Sequence, residues 1–341
     1  MEFKDKSTNE REIWTIISWI LWSLYVFIYI VVVAVKFLFL LIITVCVDGC
    51  HWLLTIDMQS KIDLRGKRAV ICGVEGKFGR QLAEKLARRG VTLILWDSDQ
   101  QLVEEAIEFL QQRGVNRVRG ENVQFWSETE MREKALETIN DYGRVDFLIF
   151  NFLDDFVQPD GFLANKRHFQ LVKRSSLTAD SIVNVTRAFL PFMLKEETGH
   201  VLAITSIAGL FGSATQPRCS ALAHSVVGVM KSLEFELESS GSQVKSSLIC
   251  SSFLKNDDLI DDAWIFPLLN INYVTEQLVE TLESNQHFKI VPLRAHFAYG
   301  ASHLLPNRLA QMLTVAFNRT HRWTTSDLCE PSIERKVSSY D

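Results

Sequence analysis

The sequence lacks several features that would point directly to a function. Its formal net charge is −5, and its lysines and arginines are scattered rather than gathered in a stripe, so nucleic acid is not an expected partner. Its six cysteines have neither regular spacing nor a metal-ligand pattern, so we expect no disulfide framework and no metal. Repeats and low-complexity linkers are also missing. The cysteines fit a reducing, cytosol-facing compartment.

Apolar residues, by contrast, are abundant at 47%, and the excess lies at the N-terminus. After a polar segment, 1–12, the run from Ile13 to Val35 carries no charge and exceeds the about 20 residues that cross a bilayer as a helix. A second apolar run follows from Phe37 to Val47, unlike a cleaved signal peptide. We predict a retained membrane anchor over 13–47, with membrane lipid as a partner. A single span and a shallow hairpin both remain open.

The basic residues on either side of the anchor indicate its orientation. More of them follow the anchor than precede it: Lys61, Arg65, Lys67 and Arg68 against Lys4, Lys6 and Arg11. The positive-inside rule therefore favours a cytosolic main domain, joined to the anchor by a linker at 48–63.

From residue 64 to 292 short apolar runs alternate with amphipathic helical patterns. Six runs are predicted as strands: "RAVICG", "VTLILWD", "VQFW", "VDFLIF", "HVLAITS" and "VKSSLIC". Helices are predicted between them, the longest over 178–196 and 219–239, with Gly90 as a helix stop and Ser127 with Glu130 as a capping box. This alternation predicts a single α/β domain, a Rossmann-like doubly wound parallel sheet with helices on both faces.

The C-terminal region has a different pattern. Within 293–324 an apolar stripe at helical spacing predicts an amphipathic helix: Leu305, Leu309, Met312, Leu313, Ala316 and Phe317. The stripe either packs on its own domain or makes a second membrane contact. The tail at 325–341 is polar.

The order and spacing of these segments resemble the short-chain dehydrogenase/reductase superfamily. The phrases "LILWDSD", "AFLPFMLKEETGHVLAITSIAGLFGS" and "PLLNINYVTEQLVETL" are similar to its membrane-anchored branch, which contains retinol dehydrogenases and 17-beta-hydroxysteroid dehydrogenases. The resemblance covers roughly 64–292. It implies an NAD(P)-binding Rossmann fold and, with the N-terminal anchor, a place on the endoplasmic reticulum or lipid-droplet membrane.

The cofactor loop of this superfamily reads T-G-x-x-x-G-x-G, and here it is "CGVEGKFG". Gly73 and Gly79 keep the first and last glycines, Lys77 takes the middle position, and Gly76 lies one residue earlier. Glu75 adds a negative charge beside the expected phosphate site. A loop of this kind either binds a dinucleotide at the helix N-terminus or only turns the chain.

At the other cofactor-binding positions some of the superfamily's residues are kept and others are replaced. Asp97 ends the second strand, where the resemblance implies a ribose-binding carboxylate and a preference for NAD; an ordinary turn aspartate is the alternative. In "FNFL" only Asn151 remains of the superfamily's N-N-A-G, and bulky Phe150, Phe152 and Leu153 surround it. Gln124, Phe125 and Trp126 stand near its adenine-binding aspartate. We predict weak or absent dinucleotide binding, with NAD as the preferred form.

The catalytic positions are more strongly changed. Related enzymes use a tyrosine as proton donor, a lysine one turn later to lower the pKa of the phenol, a serine that polarises the carbonyl, and an asparagine. Ser206 in "AITSIAG" matches the serine, but the spacing places Cys219 at the tyrosine, Ala223 at the lysine and Thr178 at the asparagine. No tyrosine lies between 143 and 272. Ser251-Ser252 replaces the usual Pro-Gly.

Two interpretations follow for the protein. The favoured one is a catalytically inactive, dehydrogenase-like pseudoenzyme that binds a partner or an apolar small-molecule ligand at a membrane, with Ser206 vestigial. The alternative is an active NAD-dependent oxidoreductase of a retinoid, steroid or other lipid alcohol, with Cys219 as an atypical acid. We expect His224 to be a surface or packing residue. A homo- or heterodimer through the helices at 178–196 and 219–239 is a further expectation.

Overall fold

The computed structural model describes residues 19–36, 38–39, 61–153, 178–212, 217–252, 254, 268–304, 308 and 312. The chain divides into two compact units, Met1–Ser60 and Lys61–Asp341. In the first unit, helix α1 (Trp19–Lys36) has a mean hydropathy of 2.1 and none of its residues is buried. By length and composition α1 is able to cross a membrane, as predicted for the anchor. Residues 13–18 and 40–47 of that predicted anchor lie outside the described part.

The second unit alternates strands with helices. In chain order its elements are β1 (Arg68–Cys72), α2 (Gly76–Arg88), β2 (Thr92–Asp97), α3 (Gln100–Gln111), β3 (Val118–Asn122), α4 (Glu128–Tyr142), β4 (Phe147–Asn151), α5 (Ala179–Lys195), β5 (His200–Ser206), α6 (Ala208–Phe211), α7 (Pro217–Ser239), β6 (Lys245–Ser251), α8 (Ile271–Ser284), β7 (Phe288–Val291) and α9 (Leu293–Leu304).

These strands form one parallel sheet in the order β3-β2-β1-β4-β5-β6-β7. The strand order reverses between β1 and β4, and ligands of such sheets bind at the carboxyl ends of the strands beside that point. The loops after Cys72 and Asn151 meet there. The predicted doubly wound α/β fold is confirmed.

Two apolar layers hold the helices on the sheet. One layer packs α2, α3 and α8 on one face, and it includes Phe78, Leu82 and Leu86 at the predicted four-residue spacing. The other packs α4, α5 and α7 on the opposite face around Trp96 and Phe189, whose ring centroids lie 5.4 Å apart. Each fully buried side chain of this kind contributes about 1.5–3 kcal/mol relative to an exposed one.

The local signals are largely confirmed, with one correction. Gly90 ends α2 with a φ of +84°, and Ser127 caps α4 by accepting from the Glu130 N–H at 3.3 Å. The third strand, however, is Val118–Asn122 and not "VQFW", which follows it. This strand lies at the sheet edge and none of its residues is fully buried, so its sequence "VRGEN" lacks the apolar run expected of a buried strand.

Candidate active site

The first βα turn has the backbone shape of a nucleotide-binding loop. Gly73 has a φ of +86° and Gly76 a φ of +78°, conformations that favour glycine. A Cβ on Gly79 would stand 2.9 Å from the carbonyl carbon of Val74, so only glycine lets α2 pack this closely on the loop. Lys77 is exposed in the first turn of α2. The loop therefore combines two left-handed glycines with one close helix contact.

The carboxylate of Asp97 is directed into this loop rather than toward solvent. Its Oδ2 accepts from the Val74 N–H at 3.0 Å, its Oδ1 accepts from the Ser98 N–H at 2.8 Å, and its side chain is 5% exposed. Burial raises the pKa of the Asp97 carboxyl above its ordinary value, while these N–H donors act in the opposite direction. Asp97 thus serves as an acceptor for the backbone of the glycine loop.

Asn151 joins the same loop from the end of β4. Its Nδ2 donates to the Gly73 carbonyl at 3.1 Å, and its Oδ1 accepts from the Leu153 N–H at 3.1 Å. Phe150 is completely buried, Leu153 is 9% exposed and Phe152 is half-buried. The bulky side chains of "FNFL" are accordingly packed into the apolar layers, and Asn151 ties the turn to β1.

The segment after β3 carries the residues at the family's adenine-contacting position. Phe125 is 1% exposed, and its carbonyl accepts from Asn184 Nδ2 at 3.0 Å. Gln124 Nε2 donates to Asn122 Oδ1 at 3.1 Å, whereas the Trp126 side chain is 71% exposed. This segment presents an aromatic core residue and a solvent-facing indole where the family has a carboxylate.

Ser206, which the resemblance matches to the catalytic serine, stands at the end of β5. Its side chain is 6% exposed, and its Oγ accepts from the Ala208 N–H at 3.1 Å. That bond fixes the hydroxyl against the start of α6. Ser206 therefore lies at the end of β5 and takes part in a local turn.

The two positions that should hold tyrosine and lysine lie on α7. Cys219 is half-buried in its first turn, and Ala223 is 1% exposed. A Cβ on Gly209 of α6 would stand 2.7 Å from the Ala223 carbonyl carbon and 3.0 Å from its Cβ. Helices α6 and α7 thus meet closely at Ala223, which supplies neither a charge nor a proton.

Neighbouring polar groups of α7 are engaged with backbone atoms. Ser220 Oγ donates to the Ala208 carbonyl at 2.9 Å, and His224 Nδ1 lies 2.8 Å from the Ser220 carbonyl. His224 is exposed, as expected for a surface histidine. With its hydroxyl donated to a carbonyl, Ser220 does not form an activated serine–histidine pair of the kind that hydrolases use.

The remaining sequence-predicted residues are dispersed. Thr178 is the exposed N-cap of α5, where its N–H donates to Ser181 Oγ at 3.0 Å. Ser251 and Ser252, at the end of β6, are completely buried, and Ser251 Oγ donates to the Ser252 carbonyl at 2.9 Å. Each of the three therefore has a local structural contact.

Sequence reasoning named candidate residues for the site but did not indicate the hydrogen bonds among them. It identified Asp97 and Asn151 as candidate cofactor residues without indicating that both bind the glycine-loop backbone. It gave no role to Ser220, which links α7 to α6. A small hydroxyl residue beside a helix start carries no distinctive sequence signal, so this link is visible only in three dimensions.

These contacts allow a test of whether a dinucleotide fits the described residues. The loop backbone and the N-terminus of α2 suit a phosphate group. The Asp97 carboxylate, however, is buried and bound to two N–H groups, and Ala223 offers no ammonium for a ribose. Within the described residues, the side chains do not reproduce the family's dinucleotide contacts.

Comparisons with known proteins agree with this architecture. The family model described as "short chain dehydrogenase" matches residues 67–259. The chain is 26% identical over 269 residues to the short-chain dehydrogenase/reductase family 16C member 6 of Bos taurus, covering 76% of this chain and 82% of that protein. It is 24% identical over 258 residues to 17-beta-hydroxysteroid dehydrogenase 13 of Homo sapiens, covering 75% and 84%.

Solved structures show the same fold. A short-chain dehydrogenase/reductase from Burkholderia phymatum, in complex with NAD, superposes with a TM-score of 0.59 at 21% identity, covering 71% of this chain and 94% of that one. Fold, motif order and family model lead to one conclusion: the chain belongs to the short-chain dehydrogenase family.

Proposed function

We propose that this protein is a membrane-anchored family member that does not catalyse dehydrogenation and acts by binding a partner or a lipid ligand. The observation that carries the proposal is the pair Cys219 and Ala223 on α7, with Ala223 buried against Gly209. Loss of one general acid typically lowers a rate by about 10²–10⁴. Loss of the adjacent ammonium also removes the group that would hold a nicotinamide ribose.

The residues at the expected cofactor-binding positions support the same proposal. Asp97 and Asn151 both bind the backbone of the glycine loop, so their presence has a structural reason. Phe150 is a core residue at a position where the family has a small polar side chain. We infer that NAD binding is weak or absent.

The location proposed for the protein is the endoplasmic reticulum or lipid-droplet membrane, with the main domain in the cytosol. Helix α1 supports membrane attachment, and the positive charge after the anchor supports the orientation. Deleting residues 1–50 is expected to release the protein to the soluble fraction. Sedimentation of the truncated protein with membranes after a high-salt wash would assign anchoring to the C-terminal stripe instead, of which only Met312 is described, 65% exposed.

A second candidate function is an active NAD-dependent oxidoreductase of a retinoid, steroid or other lipid alcohol. It is favoured by relatives named as an epidermal retinol dehydrogenase and a 17-beta-hydroxysteroid dehydrogenase, and by Ser206 at its motif position. In this alternative Cys219 takes the place of the tyrosine as the general acid.

Turnover in membranes distinguishes the two functions. The natural protein, Ser206→Ala and the double variant Cys219→Tyr with Ala223→Lys are compared on a panel of lipid alcohols with NAD, with an active retinol dehydrogenase as the positive control. We expect no turnover by the natural protein. Turnover that disappears in Ser206→Ala would refute the inactive assignment.

The double variant tests whether the remaining site still binds NAD. If restoring Tyr and Lys creates activity, the remaining site still binds NAD and only the proton chemistry was missing. We expect it to stay inactive, because Ala223 lies in a close helix contact and Asp97 is bound within its own loop. Its unfolding temperature is measured alongside, so that a misfolded variant is recognised.

A further inference from the structure

A cavity of about 260 Å³ lies between the last turns of α4 and α5 and the segment that leads into β4. Because the sheet is parallel, this places it at the amino ends of the strands, whereas the candidate active site lies at their carboxyl ends. Its walls include five apolar side chains: Ile139, Val145, Phe189, Phe192 and Met193. Val145, Phe189 and Met193 belong to the buried apolar layer on this face of the sheet. The cavity is therefore an apolar recess that extends from the core.

Cationic side chains line the recess and surround it. Arg144 lines it, and its Nη2 lies 3.2 Å from Asp146 Oδ1. The Asp146 carboxylate is already bound by Lys67 Nζ at 3.1 Å and by the Arg68 N–H at 2.9 Å. One carboxylate thus faces the side chains of both Lys67 and Arg144, which leaves positive charge in excess.

Two further cations add to this excess. Lys195 lines the recess and forms no ion pair within the described part of the chain. Arg68 Nη1 lies 3.9 Å from the point where a Cβ on Gly143, another lining residue, would stand. Glu196 is an acidic residue of the lining. The lining residues therefore include two cations, Arg144 and Lys195, and one acid, Glu196, while Asp146 beside Arg144 is matched by Lys67. The lining carries a small excess of positive charge.

An apolar recess with more cations than acids in its lining matches one chemical class of ligand. We propose that it binds an anionic amphiphile, a medium-length alkyl carboxylate whose chain lies against Phe189, Phe192 and Met193 and whose carboxylate meets Arg144 and Lys195. Burial of the alkyl chain favours binding through the hydrophobic effect, which does not fix the orientation of the ligand. The two cations orient the head group, because charge-assisted hydrogen bonds to carboxylates are stronger than neutral ones. This site is separate from Ser206 and α7, so the proposal stands independently of the catalytic question.

Equilibrium dialysis of carboxyl-labelled decanoate against the full chain in nanodiscs tests the proposal, with empty nanodiscs as the background. We expect saturable binding above that background. Decanol has the same chain with a neutral head group, and we expect it to bind about tenfold more weakly, because it lacks the charge-assisted contacts of the carboxylate with Arg144 and Lys195. Absence of saturable binding, or equal binding of decanol, overturns the proposal.

Variants locate the binding. Arg144→Gln combined with Lys195→Gln is expected to weaken decanoate binding about tenfold and to leave decanol unchanged. Ile139→Trp fills the recess from a half-buried wall and is expected to abolish binding of both. Arg88→Gln is the matched control: Arg88 is exposed and paired with Glu84 on α2, on the other face of the sheet.

Unfolding temperatures without ligand establish that each variant is folded. If Ile139→Trp fails to fold, the charge-neutralised variant, Arg144→Gln with Lys195→Gln, tests the binding site alone. Decanoate affinity that is the same in the natural protein, the charge-neutralised variant and Arg88→Gln would place binding elsewhere and refute the proposal.

Discussion

The carboxyl edge of the sheet contains two regions that differ in what they keep of the family's site. The nucleotide-facing region around β1 and β2 keeps Gly73, Gly79 and Asp97. The catalytic region around β5 and α7 keeps Ser206 but has Cys219 and Ala223 at the tyrosine and lysine positions. Both regions are well packed and hydrogen-bonded. They differ in how many of the family's residue types they keep.

Structural roles account for this difference. Gly79 permits a close helix contact, Asp97 accepts from the Val74 N–H, and Ser206 accepts from the Ala208 N–H. A tyrosine and a lysine serve proton transfer and the ribose, and neither is needed to pack α7, whose core side chains include Val226 and Met230. We conclude that the family's residue types remain where the fold itself uses them.

The largest expected effect concerns the close glycine contacts of the two regions. Gly209→Ala is expected to lower the free energy of unfolding by about 3 kcal/mol, because the new Cβ meets backbone atoms of Ala223 at 2.7 Å; for Gly79→Ala we expect about 2 kcal/mol. Denaturant unfolding measures both. Gly228→Ala is the control: Gly228 lies on α7 with nothing within 4 Å of its Cβ position, so alanine is expected to stabilise the helix slightly. Equal effects at Gly209 and Gly228 would contradict the packing role.

A smaller effect is expected from removing the carboxylate of the nucleotide-facing region. Asp97→Ala leaves the Val74 N–H without its acceptor, and we expect the free energy of unfolding to fall by about 2 kcal/mol at neutral pH without any ligand present. Chemical denaturation of the ligand-free protein measures this. An unchanged stability would mean that Asp97 is there for a cofactor and not for the loop.

The pH dependence of stability sharpens the same point. Burial raises the pKa of the Asp97 carboxyl in the folded protein, so the folded state holds this proton to a higher pH than the unfolded state. The stability that comes from protonation of Asp97 is then fully present below the unfolded pKa and is lost as pH rises through the folded one, whereas the hydrogen bonds from the Val74 and Ser98 N–H groups remain. In Asp97→Asn, which does not titrate, we expect this decline above about pH 4 to be absent. Parallel stability curves for the two proteins would refute the assignment.

The smallest effect is expected in the catalytic region. Ser206→Ala removes the acceptor of the Ala208 N–H and is expected to cost about 1 kcal/mol of unfolding free energy. Ser232→Ala, which removes an exposed hydroxyl that donates to the Gly228 carbonyl on α7, provides the comparison and is expected to change stability by less than about 0.5 kcal/mol. A larger loss at Ser232 than at Ser206 would argue against a structural role for the β5 serine.

Much of the fold is predictable from the sequence because central parallel strands are buried on both faces. β4 and β5 are buried throughout, so they appear as continuous apolar runs. The edge strand β3 is polar and half-exposed, and the apolar-run criterion placed it several residues too late. Helix ends were predictable where a side chain or a glycine acts locally, as at Ser127 and Gly90.

The sequence yields candidate site residues but not the contacts that these residues make. Motif spacing places Ser206, Cys219 and Ala223 at the catalytic positions. It does not reveal that Asp97 binds the Val74 N–H, or that Ala223 faces Gly209. These contacts join residues far apart in the chain, and their geometry depends on the packing of whole elements. Sequence patterns therefore indicate which of the family's residue types are replaced, while the structure shows the contacts of the residues that stand there.

Titration of the full chain in nanodiscs with NADH, followed by calorimetry, tests the central claim most directly. A retinol dehydrogenase of the same family, prepared in the same way, shows that the assay detects binding. The account predicts no saturable binding of NADH in the micromolar range, because Asp97 is bound within its own loop and no lysine stands at position 223. Micromolar affinity for NADH would contradict it.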